Sequence, residues 1–204
     1  MAERNPYAAP EAPLIAADEP TLLSTDPETF DYAGFWHRLG ALLLDSLILS
    51  PLGILIFVAL SYTRSAYLLF ALPSVAIMLF YYVWLVKRFG GTPGKLIARL
   101  RITMTDGSPV TMNAALARFA PLLLLHVLSL VAMIQTSSSL TDGFEAQGFI
   151  EKMQSISRSA PSWNKYVTGL TYAWWIATAI TLVANRRKRA AHDFLAGTIV
   201  LRIG

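Results

Sequence analysis

The chain has 204 residues, 54% of them hydrophobic and 15% charged, with a mean hydropathy of +0.48. Soluble domains carry about a quarter charged residues, so an ordinary soluble domain is excluded and membrane spans become the natural unit. The absence of cysteine excludes disulfides, thiolate metal sites and cysteine nucleophiles. The net charge of +4 hides an asymmetry: residues 1–34 hold seven acids and one base.

Residues 1–34 ("NPYAAPEAPLIAADEP") are rich in Pro, Ala and acids and have no sustained apolar period, which predicts a disordered tail. No basic n-region precedes the first apolar run, so that run reads as a retained span rather than a signal peptide. Four segments reach the length of about 20 apolar residues that a bilayer requires. They cover about 35–60, 66–86, 114–134 and 166–184. Pro51 in the first should free a carbonyl and kink the helix. Trp174 and Trp175 lie at mid-depth in the fourth, where they are expected to face protein rather than an interface belt.

Between the second and third spans runs "GGTPGKLIARLRITMTDGSPVTMNAALARF". Thr92 before Pro93 is a helix-start signal. "RLRITMTDGSPVTM" alternates around Asp106-Gly107, a turn signal, and Thr111 or Asn113 would cap the third span. The C-terminal "GTIVLRI" is also strand-like. Residues near 100–104 and 198–203 are predicted to pair into a small β-element. In the long loop 135–165, Phe149, Met153 and Ile156 recur at helical spacing, which predicts a short amphipathic helix on the outer surface, packed on the bundle as a lid.

Lysine and arginine set the orientation. Thirteen fall on the side that holds both termini and the loop between spans two and three; Arg64, Lys152, Arg158 and Lys165 fall on the other. Both termini are expected to be cytoplasmic, which the even number of spans permits. The fold class expected is an all-α membrane protein, a four-span bundle with a small cytoplasmic β-element.

"YAGFWHRLGALLLDSLIL", "GGTPGKLIARLRITMTDGSPVT" and "RRKRAAHDFLAGTIVL" occur in that order among the spans. Together they resemble the RDD family of membrane proteins, over about 32–134 and 166–204. The family is named for one arginine and two aspartates, and the resemblance implies Arg38, Asp45 and Asp193 for those positions. Many members have three spans; here a loop and a fourth span, about 135–184, precede His192-Asp193. The resemblance implies a membrane protein, with cation–proton antiport or small-solute transport suggested for some members.

Asp45 lies about ten residues into the first span, roughly 15 Å below its edge at 1.5 Å per residue. A charge at the centre of a span costs several kcal/mol, so Asp45 is expected to face the bundle interior and be paired or protonated. Arg38 shares its helical face but lies about 10 Å away along the axis, too far for a simple salt bridge, and can snorkel to lipid phosphates. His126 in the third span, at similar depth, is the expected partner of Asp45, with Arg118 nearer the surface. Such a pair is either a structural contact between helices or a titratable pair suited to exchanging a proton for a monovalent cation. Asp193 is expected to form a structural salt bridge at the cytoplasmic mouth, with Arg38 or Lys95. Gly91, Thr92, Pro93, Gly94 and Lys95 lack the Walker spacing and read as a tight turn into an interfacial helix, with Lys95 near lipid phosphate. The three histidines, including His192, lack metal-ligand spacing.

The chain is therefore expected to be a non-enzymatic transport protein or transport subunit without a cofactor, in a bacterial inner or plasma membrane. Its expected partners are the lipid bilayer, a monovalent cation or proton, and a second copy or another membrane protein; no nucleic acid is expected. The competing expectation is a scaffold for other membrane proteins that uses the tail and outer loop as contacts.

Overall fold

The computed structural model describes residues 30–63, 66–140 and 142–203. Apolar composition over these lengths yields four helices long and apolar enough to cross a membrane. The first is α1 (Phe35–Tyr62). The second is composite: α2 (Ala66–Leu79), one π-helical turn over Phe80–Trp84, then α3 (Leu85–Phe89). A five-residue helix α4 (Pro93–Ile97) and strand β1 (Leu100–Met104) follow. The third long helix is α5 (Met112–Ser139), then α6 (Phe149–Ser159), the fourth long helix α7 (Asn164–Ala184), the short α8 (Ala191–Ala196) and strand β2 (Thr198–Arg202).

The small β-element forms where the alternating sequence places it. β1 and β2 pair antiparallel, Leu100 opposite Arg202 through Met104 opposite Thr198. The Asp106-Gly107 turn also forms, with Gly107 at φ +84° and one bridge from Thr103 to Pro109. Leu100, Ile102 and Val200 bury their side chains against Ala41, Val86 and Ala115, so the core lies at the sheet end of the bundle. Elsewhere the long helices expose leucines such as Leu43, Leu47, Leu69 and Leu72, as a lipid-facing surface requires.

Two boundaries differ from expectation, and Pro51 is accommodated locally. The disorder expected for 1–34 lies outside the described residues up to 29, and it does not hold for 31–34. Asp31 and Ala33 take the free edge of β2: the Arg202 N–H donates to the Asp31 carbonyl at 2.9 Å, and the Ala33 N–H to the Val200 carbonyl at 2.9 Å. Pairing satisfies backbone groups that an open strand would leave to water. The third long helix runs to Ser139 and not 134, so the outer connection begins at 140. The Thr136 hydroxyl donates to the Ala132 carbonyl, and those of Ser138 and Ser139 to the Gln135 carbonyl, which absorbs polar side chains into the helix. Lastly, the carbonyl that Pro51 frees is that of Leu47, and the Ser50 hydroxyl donates to it at 2.8 Å.

The caps follow local chemistry in part. Thr111 accepts from the Ala114 N–H at 3.2 Å and caps α5. Gly90 takes φ +78° to end α3, and Pro93 occupies the first turn of α4. The amphipathic helix forms as α6, which packs on α5, with Phe149 edge-on to Phe57 of α1 at 6.1 Å. α4 packs closely along α1, and Gly94 makes this possible: a Cβ there would stand 2.5 Å from the Ala41 carbonyl oxygen and 2.6 Å from the Asp45 amide nitrogen. Gly94→Ala should therefore cost about 1–3 kcal/mol of stability through overpacking. Gly53→Ala, with open space around it, should change stability by less than about 1 kcal/mol. Thermal unfolding of the two variants in detergent checks this; equal midpoints would mean that α4 is not clamped on α1.

Candidate functional site

Asp45 is 1% exposed, inside the first span. Its carboxylate meets three donors from two other parts of the chain. The Tyr81 hydroxyl donates to Oδ1 at 2.6 Å, the Gly94 N–H to the same oxygen at 2.7 Å, and the Thr92 hydroxyl to Oδ2 at 2.6 Å. Tyr81 belongs to the π-helical turn, where Tyr82 also turns inward to stack on Phe119 at 5.2 Å. Thr92 occupies the N-cap position of α4 but makes no side-chain cap bond; its hydroxyl is spent on Asp45. Asp45 in turn takes an otherwise unpaired N–H of the first turn of α4.

The expected contact between Asp45 and His126 is not formed. His126 faces Ser74 of α2, with its Nε2 3.3 Å from the hydroxyl. Similar depth along two spans did not make the two residues neighbours, because α4 and the π-helical turn fill the space around the carboxylate.

Asp193 is fully buried near the start of α8, and here the expected salt bridge forms. Arg38 Nη1 donates to Oδ2 at 2.5 Å, and the Ala190 N–H donates to the same oxygen at 2.9 Å. Arg118 Nη1 donates to Oδ1 and, at 2.6 Å, to the Thr198 hydroxyl oxygen. Arg38 further donates to the carbonyls of Ala33 and Lys188, so it is held inside the protein and does not snorkel. Burial alone would raise the Asp193 carboxyl, but the charges of Arg118 and Arg38 outweigh it and hold the group well below the usual carboxylate range. Burial, aided by the Arg118 charge, pushes the His192 imidazole down to about 3, so this ring is neutral at pH 7.

Arg38, Lys95, Arg118 and His192 line one end of a cavity of about 520 Å³ between α1, α5 and α7. Trp174, Trp175 and His126 line it too; Trp174 is half-buried, whereas Trp175 is 43% exposed, so the expectation that both face protein holds only in part. Lys95 differs from the arginines: among the described residues its ammonium makes no hydrogen bond and no ion pair at contact distance. Burial lowers it to about 8, the Arg118 charge acting in the same direction and the Asp45 charge against it. Gly91 is buried against Leu96, where it supports the turn and no ligand.

The structure thus gathers Arg38, Arg118, His192 and Asp193 in one cluster, gathers Asp45, Thr92 and Gly94 in another, and leaves His126 in neither. The model of the RDD family matches residues 32–197. The chain belongs to the RDD family. Neither the curated proteins nor the solved structures contain a match to it. In this RDD protein Arg38 pairs with Asp193, and Asp45 holds the α4 turn. Sequence reasoning missed Tyr81, Thr198 and the Ala190 N–H as donors. Thr198 follows the His-Asp motif by five residues and was legible only as part of a strand; nothing in the aromatic run "FYYVW" singles out Tyr81.

Asp193→Asn would leave Arg38 and Arg118 buried against a neutral amide. Removing one partner of a buried pair costs about 3–5 kcal/mol. The folded carboxyl lies below its ordinary value of 3.8, so its stabilisation is complete at neutral pH and is lost only as pH falls below that value toward the folded one. The unfolding midpoint of Asp193→Asn in detergent should therefore sit well below wild type from pH 8 to about 4, with the gap closing in stronger acid. A gap that closes between pH 8 and 5 would refute the ion-pair account.

Proposed function

We propose that this RDD protein is a membrane transport protein, or a transport subunit, that handles a small solute in the cavity between α1, α5 and α7. The observation that carries this reading is the cavity itself: about 520 Å³ inside a bundle of membrane-length helices, with charged groups gathered at one end. The cavity is a half-open cleft between the helices, and its size is normal for a ligand site. The Lys and Arg distribution supports placing both termini and the sheet end in the cytoplasm of a bacterial inner or plasma membrane. Four helices are few for an enclosed path, which favours a homo-oligomer or a partner subunit. No enzymatic step is part of this reading.

Within it, the two family aspartates are structural. Each carboxylate is saturated by donors, and neither is left to bind a cation in the resting arrangement. Exchange of a monovalent cation for a proton at Asp45 would first have to break three hydrogen bonds. The saturated Asp45 is also the observation that favours the second reading, a scaffold for other membrane proteins.

One experiment separates the two. The chain has no cysteine, so Ser129→Cys and Thr178→Cys in the cavity wall give unique targets for a membrane-impermeant thiol reagent. In sealed vesicles a transport cavity should be labelled from each side in turn, while Leu43→Cys, on the outer face of α1, should be labelled from neither. Cavity cysteines that react from one side only, or not at all, in folded protein would sink transport and leave the scaffold.

A further inference from the structure

The formal charges around the head of the cavity do not cancel. Arg38, Lys95 and Arg118 supply three positive charges; Asp45 and Asp193 supply two negative ones. His192 is neutral at pH 7, and Lys95, at about 8, is mainly charged there. Both arginines are committed to Asp193 and to neighbouring oxygens. The three donors on Asp45 come from Tyr81, Thr92 and Gly94, none from Lys95. The uncompensated charge therefore belongs to Lys95, which borders the cavity without a contact partner. A lone ammonium in a partly dehydrated site calls for one negative charge. It also repels a cation, which argues against the cavity head as a seat for Na⁺, K⁺ or Li⁺.

Away from that end the wall changes character. On α5 the lining runs from Arg118 to Ser129, and on α7 from Leu182 back to Thr171, end residues eleven positions apart in each case. At 1.5 Å per residue both stretches are about 16 Å long. They carry leucines and Trp174, broken by the His126 ring and by isolated hydroxyls. One of these, the Thr178 Oγ1, is buried with no hydrogen-bond partner. Buried polar atoms without a partner are uncommon, so a single polar atom part-way along the occupant would have a place to bind.

We propose that the cavity binds an anionic amphiphile, with its acidic head group on Lys95 and its apolar body lying between α5 and α7. The shared chemistry is one negative charge joined to a chain or ring system of up to about 16 Å. A bilayer lipid with an acidic head group and a free aliphatic acid both satisfy it. The inference rests on the reading of the cavity as the solute compartment, but it concerns binding and not movement.

The test is equilibrium binding to the full chain in an uncharged maltoside detergent. The probe is dansylamino-undecanoic acid, read by energy transfer from Trp174 and Trp175. Wild type should bind it. Lys95→Met should weaken binding about tenfold or more, the loss expected for one charge-assisted contact, and Lys95→Arg should stay within about threefold of wild type. Thr178→Trp, which fills the cavity part-way along its wall, should abolish the signal in protein that still unfolds cooperatively. Lauric acid or phosphatidylglycerol should displace the probe, while dodecyltrimethylammonium and phosphatidylcholine should not. Displacement by lauric acid alone identifies a free acid as the source, and by phosphatidylglycerol alone a bilayer lipid; either supports the inference. Equal binding to Lys95→Met, equal displacement by the cationic amphiphile, or displacement by millimolar inorganic phosphate alone would overturn it. Binding without two-sided cysteine labelling would remove transport and keep the amphiphile; two-sided labelling without binding would do the reverse.

Discussion

Asp193 is the point on which the sheet end of this bundle depends. Its carboxylate receives donors from α1, from α5, from the turn before α8 and, through Thr198, from β2. These elements lie up to 155 residues apart in the chain. Two guanidiniums drawn this close would repel one another in a medium of low dielectric. A fully dehydrated carboxylate between them turns that repulsion into cohesion. The ends of two membrane helices then stand at fixed positions, and the pairing of β1 with β2 and of β2 with residues 31–33 builds on them.

The second carboxylate works on a smaller scale. Asp45 binds the turn that enters α4, and Gly94 lets that turn approach the α1 backbone. With both aspartates engaged, Lys95 is left, among the described residues that line the cavity, as the cation without a carboxylate at contact distance. The division of labour is physical: groups with several donors at hydrogen-bond distance hold elements together, and a group without a partner is free to meet a ligand.

Much of this was legible in the sequence, for identifiable reasons. The four spans follow from apolar length alone. The strand pair follows from β-branched alternation in "RLRITM" and "GTIVLRI", which places both segments at one end of an even number of spans. A salt bridge of Asp193 was legible from charges left near the same surface, but the choice of Arg38 over Lys95 was not, and Arg38 was also expected to reach lipid phosphate. The partner of Asp45 was not legible, because depth along a span ranks every polar residue at that level equally. The choice among them was made by α4 folding back on α1 and by a π-helical turn that brings Tyr81 to the carboxylate, and both are tertiary outcomes. The end of the third long helix was misjudged because its serines and threonine look like loop residues, although their hydroxyls return to the carbonyls one turn earlier. The cavity had no sequence signal: its walls draw on all four spans, and its length comes from packing.

The distribution of donors also orders the assembly of the chain in time. Synthesis runs from the N-terminus, and the ties of Asp45 to Tyr81, Thr92 and Gly94 become available once the first hundred residues have left the ribosome. Arg118 enters the bilayer region with the third long helix, but its counter-charge, Asp193, lies 75 residues later. Until the last residues emerge, a guanidinium that later becomes buried has no carboxylate to answer it, and an isolated charge in a span is expensive. The newborn third helix must therefore keep that end at the head groups, in water, or beside the insertion machinery, and it reaches its final depth only when the C-terminus arrives. A chain broken before residue 193 would be left at that stage, with the Arg118 guanidinium lacking its carboxylate.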